Sequence, residues 1–151
     1  MPPLSADDLD PQERAAVEAT IQAAERARAR GTSVGEELTA PHWDTGAPEG
    51  TARGTLRIGP ELTNRVGHLQ GGALYGIGLA AADRAVQTTG DPLDPADGSW
   101  QFLRPGDGTD LVVEATVARR GREAAFATVT LTVDGRAVGA GQFAFRRGAS
   151  A

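Results

Sequence analysis

From Ser99 to about Arg146 the chain alternates apolar and polar residues with a period of two, and glycine-bearing turns interrupt the alternation. Leu111, Val113, Ala115 and Val117 fall on one side of one strand. Ala125, Ala127, Val129, Leu131 and Val133 fall on one side of the next, opposite Thr128, Thr130 and Thr132. Side chains of a strand point alternately to its two faces, so this pattern fits extended chain lying over a core on one side only. Asp134-Gly135 sits between two such runs, and a type I′ turn, with positive φ at both central residues, favours that pair. Arg120-Gly121 stands where a tight hairpin is needed one strand earlier, and the last strand runs from Arg136 to about Arg146 with Phe143 and Phe145 on one face. With Ser99 to Leu103 as the first member, after a loop from Asp91 to Gly98, this makes four strands joined largely by hairpins, hence antiparallel.

The sheet needs something to pack on. Between Gly71 and about Val86, apolar residues occupy all sides of a helical wheel, which predicts a buried helix. Gly76 and Gly78 would each cost that helix roughly 1 kcal/mol relative to alanine, a cost explained by close approach of a sheet or second backbone, or else by mere glycine abundance. Upstream, Asp10-Pro11-Gln12-Glu13 supplies an N-cap, a proline at the first helical position and an acid three residues after the cap, so a helix is expected to Arg30. Val17, Ile21 and Ala24 are its expected apolar stripe, and Gly31 its end. Thr32 to Gly54 reads as irregular chain or a short edge strand, and Thr55 to Ile58 as a short strand stopped by Pro60. One apolar helix against one curled antiparallel sheet is an α+β layout. The 151 residues suffice for one core, with residues 1–31 as leader and amphipathic helix and 32–148 as the main domain.

A net charge of -5 and a pI near 5.0 argue against a nucleic-acid binder. The chain has no cysteine, and only His42 and His68 offer imidazole, so no thiolate chemistry, metal site or cofactor is expected. The opening MPPLSADDLD lacks the features of a signal peptide and no apolar run approaches the length of a membrane span; the expectation is a cytoplasmic protein with no membrane partner.

The stretch Asn64-Arg65-Val66-Gly67-His68-Leu69-Gln70-Gly71-Gly72 lies between the first strand and the buried helix. Paired glycines at a helix start leave backbone N–H groups uncovered at the positive end of the helix dipole. Such donors can hold the oxyanion that forms when a thioester is attacked; the plainer alternative is a tight turn.

This stretch resembles the signature Asn-x-x-Gly-x-x-His-Gly-Gly of the PaaI-like and 4-hydroxybenzoyl-CoA-like acyl-CoA thioesterases of the hotdog superfamily. Asn64, Gly67, Gly71 and Gly72 match, and Gln70 stands in place of the family histidine. Phe102-Leu103-Arg104-Pro105 resembles the family's strand end, and Arg119-Arg120-Gly121-Arg122 its basic hairpin. The resemblance implies a hotdog fold, a long helix wrapped by an antiparallel sheet, in homodimers or homotetramers that pair sheet edge to sheet edge. It implies that the Gly71 N–H polarises the thioester carbonyl with Asn64 and Gln70 in support. The family's helix acid, nine positions after the histidine, would be Leu79, which can neither attack a carbonyl nor activate water.

Asp83, one turn further along nearly the same face, is the nearest replacement; its alternative role is an ion pair with Arg84 or Arg104. Gln70 can donate or accept a hydrogen bond but cannot carry a proton. His68, two residues from the family position, is expected to be solvated or packed in the loop, and His42 with Trp43 to be a packing element. Arg119, Arg120 and Arg122, with Gly121, could grip coenzyme A phosphates alongside Gly72, or simply keep a hairpin tip soluble. The function implied is hydrolysis of an acyl-CoA or acyl-carrier-protein thioester. The alternative is a non-catalytic hotdog domain that binds such an ester as a sensor or partner subunit. A dehydratase of the same fold would need a histidine and aspartate pair that the sequence does not display.

Overall fold

The computed structural model describes residues 5–148. Helix α1 (Pro11–Arg30) begins as expected: Asp10 accepts from the Glu13 N–H, Glu13 returns a bond to the Asp10 N–H, and Gly31 closes the far end in the left-handed region. A short helix α2 (Val34–Thr39) follows, capped the same way by Ser33 and Glu36. Six strands then form one antiparallel sheet: β1 (His42–Trp43), β2 (Thr51–Arg57), β3 (Asp94–Phe102), β4 (Asp110–Arg120), β5 (Ala124–Val133) and β6 (Arg136–Arg146). Their spatial order is β1-β2-β4-β5-β6-β3. Helix α3 (Gly71–Gln87) lies against the inner face of the curled sheet.

The period-two readings of β4 to β6 hold. Leu111, Val113, Ala125, Leu131, Phe143 and Phe145 are fully buried against α3, which contributes Ile77, Ala81, Ala82, Ala85 and Val86. Thr128 and Thr130 face out. Asp134 and Gly135 both have positive φ, 48° and 74°, as a type I′ turn requires. The β4–β5 connection is looser than expected, running through Gly121–Glu123.

Several expectations are corrected. The segment read as irregular chain or a short edge strand does hold a short edge strand, β1, but also contains α2 and the start of β2. The loop read before Ser99 is already β3 from Asp94. Strand-poor Asp94-Pro95 is tolerated there because β3 is an edge strand with a register shift between Pro95 and Asp97. Val17 and Ile21 are exposed rather than packed, and Ala24 is too. The buried side of α1 is Ala23 and Ala27, since α1 approaches α2 and the 3-10 turn Pro60–Leu62, and small side chains allow the closest approach. Gly78 is explained by close packing: a Cβ there would stand 2.5 Å from the Trp100 ring. Gly76 faces open space, so packing does not explain it.

Candidate active site

Two loops meet at the N-terminal end of α3. The first, from Pro60 to Gln70, is tied by its own side chains. Asn64 Oδ1 accepts from the N–H groups of Val66 (3.1 Å) and His68 (3.0 Å), the Asn64 N–H donates to the His68 carbonyl, and Gly67 takes a φ of 81° to close the turn. Gln70 Nε2 donates to the Thr63 carbonyl at 2.9 Å. Asn64 and Gln70 therefore spend part of their hydrogen-bonding capacity shaping this loop, and Asn64 Nδ2 and Gln70 Oε1 have no partner among the described residues.

The second loop follows β3. The Leu69 N–H donates to the Gly106 carbonyl at 3.2 Å, and a Cβ on Gly106 would stand 2.8 Å from Leu69, so the two loops are strapped in direct contact. His68 Nδ1 bonds the Asp107 carboxylate across this junction. A histidine and aspartate pair thus exists that the sequence did not display, and His68 is not a merely solvated loop residue. The two positions lie 39 residues apart, and no spacing signal links them.

Between the loops opens a cleft of about 450 Å³, walled by Asn64, His68, Gly71, Leu74, Phe102 and Arg104 among others. The first turn of α3 starts at this cleft, with Gly71 in its wall. Gln70 provides no side-chain cap, and among the described residues nothing accepts from the N–H groups of Gly71, Gly72 or Ala73. The exposed Phe102 ring lies over Gly71, 3.1 Å from where a Cβ would be. Free N–H groups at a helix start beside an apolar ring suit an anionic oxygen attached to an acyl group.

The other expected site residues lie elsewhere in the same chain. Leu79 and Tyr75 border a smaller cleft of about 280 Å³ with Pro95, Ala96 and Asp97 of β3. Asp83 accepts from Gln87 Nε2 at 3.0 Å. It pairs with neither Arg84, which lies 5.1 Å from the Trp43 ring centroid, nor Arg104. Twelve residues of helix separate it from Gly71, about 18 Å along the axis. The arginine hairpin is at the far end of α3. There Arg120 Nη2 donates to the Asp91 carbonyl at 2.6 Å and its Nη1 is buried without a partner; Arg122 meets Glu123 at 3.4 Å, while Arg119 is exposed. Among the described residues no cluster of His, Asp or Glu could hold a metal ion, and no helix is long and apolar enough to cross a membrane.

Residues 60–146, more than half of the chain, match the acyl-CoA thioesterase N-terminal domain family. The chain belongs to this thioesterase family. No curated protein sequence matches it. Among solved structures, thioesterase superfamily member 2 of zebrafish superposes with a TM-score of 0.70 at 25% identity, covering 82% of this chain and 94% of that one. A Bacillus halodurans protein crystallised with CoA gives 0.82 at 17% identity, covering 97% and 100%. The Escherichia coli PaaI protein of the phenylacetic acid degradation operon gives 0.71 at 18%, covering 88% and 96%. These likenesses establish the hotdog fold expected for a thioesterase-family chain.

Proposed function

We propose that this thioesterase-family protein hydrolyses an acyl thioester of coenzyme A or acyl carrier protein to a free acid and a thiol. The observation that carries the reading is the bare start of α3, three unpartnered N–H groups of which that of Gly71 lies at a cleft lined by Leu74 and Phe102. The thioester carbonyl oxygen accepts from the Gly71 N–H, with Gly72 beside it, and charge developing on that oxygen is met by donors already in place. Asn64 Nδ2 and Gln70 Oε1 orient the ester or water. The Bacillus halodurans neighbour, crystallised with CoA, supports a CoA thioester as ligand. As an enzyme of CoA thioesters the protein is proposed to act in the cytoplasm.

A homodimer completes the site in this proposal. The sheet has two edges: β1 is two residues long, whereas β3 offers nine residues, most of them exposed. An unpaired edge of that length invites a second copy. The Phe102 end of β3 lies by Gly71, and its Asp94 end lies by Arg146 and, across β6, by Ala124 at the arginine hairpin. Antiparallel pairing of two β3 edges would therefore bring Arg119 and Arg122 of one subunit toward Gly71 of the other, where they could meet CoA phosphates. Within one chain Asp83 lies about 18 Å along the helix from Gly71, so a role for it as base would need a partner subunit.

Leu79 at the family's acid position favours a second reading, a binding module without turnover. A dehydratase is less well served, because removing water needs a base and an acid at separate points of the substrate, and a hydrogen-bonded His68 and Asp107 act as one group. The test is thiol release from short, long and aromatic acyl-CoAs, with mass by light scattering. Turnover of at least one ester by a dimer or tetramer is expected; binding without turnover would hand the site to the second reading.

A further inference from the structure

We propose that the proton acceptor in this site is His68, held in its working tautomer by Asp107. The proposal rests on the thioesterase reading and supplies what Leu79 leaves out. Water attacking a thioester must lose a proton, and neither a leucine nor the amide of Gln70 can take it.

The junction between the two loops supplies a group that can. Because Nδ1 of His68 is bonded to a carboxylate, which only accepts, the ring proton sits on Nδ1 and the Nε2 lone pair is left free. His68 is half-buried, with 37% of its side chain exposed, and walls the same cleft as Gly71. Its backbone is fixed on both sides, the N–H by Asn64 Oδ1 and the carbonyl by the Asn64 N–H, while the Leu69 to Gly106 bond holds the loop that carries Asp107. An imidazole placed by two strapped loops needs little reorganisation to act. Asp83, by contrast, is bonded to Gln87 and borders no part of this cleft in its own subunit.

The step balances as follows. Nε2 takes a proton from water as the water oxygen bonds the carbonyl carbon, and the oxyanion forms against the Gly71 N–H. The intermediate collapses with cleavage of the C–S bond. The imidazolium returns its proton to the departing thiolate, leaving acid and thiol. Asp107 is a positioning residue: it fixes the tautomer and favours the imidazolium while the intermediate exists. The other charged groups near His68 are Arg104, on the cleft wall, and Arg65, which is turned to Glu13 at 3.5 Å.

The test uses the full chain and the best acyl-CoA from the panel. His68→Gln should lower kcat about a hundredfold with little change in KM, the scale of a lost general base. The acid limb that His68 gives the kcat/KM profile should vanish with it. Asp107→Asn should move that limb to lower pH, since removing the carboxylate disfavours imidazolium. Added imidazole should restore part of the turnover of His68→Ala, which a merely misfolded variant would not show. Wild-type turnover that persists within twofold in His68→Gln from pH 5 to 9 overturns the assignment and leaves the thioesterase reading standing. So does a collapse of turnover in Asp83→Asn but not in His68→Gln. A wild type that releases no thiol from any ester removes the thioesterase reading and the base together.

Discussion

The two long helices begin in opposite ways. At the start of α1 an aspartate, a proline and a glutamate satisfy the end of the helix reciprocally. At the start of α3 a glutamine turns its amide back to Thr63, two glycines follow, and three N–H groups are left without partners. Leaving a helix end uncapped forgoes about 1 kcal/mol. A fold that caps α1, α2 and the C-terminal turn of α3, where the Thr88 and Thr89 hydroxyls close on Ala85 and Val86, could have capped this end as well. The difference separates a terminus that holds the chain together from one left open beside a cleft.

Breaking the open end should have the largest effect. Gly71→Pro deletes the proposed oxyanion N–H at the first helical position, where proline fits a helix, and Gln70 already has the extended backbone that a following proline demands. Turnover should drop about a hundredfold or more with the circular dichroism spectrum unchanged. A smaller effect with opposite signs is expected from Gln70→Asp, which gives α3 the cap that α1 has. Melting should rise by the equivalent of about 1 kcal/mol, while turnover falls because a carboxylate bonded to the Gly72 or Ala73 N–H sets a negative charge beside the developing oxyanion. The reverse experiment, Asp10→Ala, should cost about 1 kcal/mol by denaturant titration and leave kcat unaltered.

The smallest effect concerns pH at the capped helices. The carboxyl of Glu36 is held below its ordinary value by bonds from the Ser33 N–H and hydroxyl, and that of Glu37 by the Thr32 hydroxyl and then by Arg30 and Arg26. A depressed carboxylate contributes stability at pH above its unfolded value and loses it as pH falls through the folded one. Amide protection factors in α2 and the end of α1 should therefore fall first as pH drops below about 4.5, the ordinary glutamate value, while those at the start of α3 keep their neutral-pH pattern.

Legibility in the sequence follows the range of the interactions. The hairpins, the inward faces of β4 to β6 and the limits of α3 are set by alternation, turn residues and glycines within a few positions, and they could be read directly. The α1 stripe could not, because Val17 and Ile21 look like a packing face until Ala23 and Ala27 are found against the 3-10 turn at Pro60–Leu62. Asp94 to Gly98 read as loop because an edge position forgives residues that a central strand would not. At the cleft, Asn64, Gly71 and Gly72 stood out by their match to a family signature, and Asn64 and Gly71 do lie on its wall. The partner of His68 was not, since it arrives from a loop after β3 that meets the first loop only in the folded chain.

Trp100 rests on Gly78, Gly139 and Gly141, three glycines from α3 and β6; a Cβ on Gly78 or Gly139 would come within 2.6 Å of the indole, and one on Gly141 closer still. None of these four positions can drift by itself. Enlarging a glycine evicts the ring, and shrinking the ring opens a hole between α3 and β6 beside the Tyr75 and Phe143 rings. Substitutions here will show strong epistasis: individually harmful changes, such as Trp100→Leu with Gly139→Ala, should be better tolerated as a pair than either alone, so this quartet behaves as one inherited character.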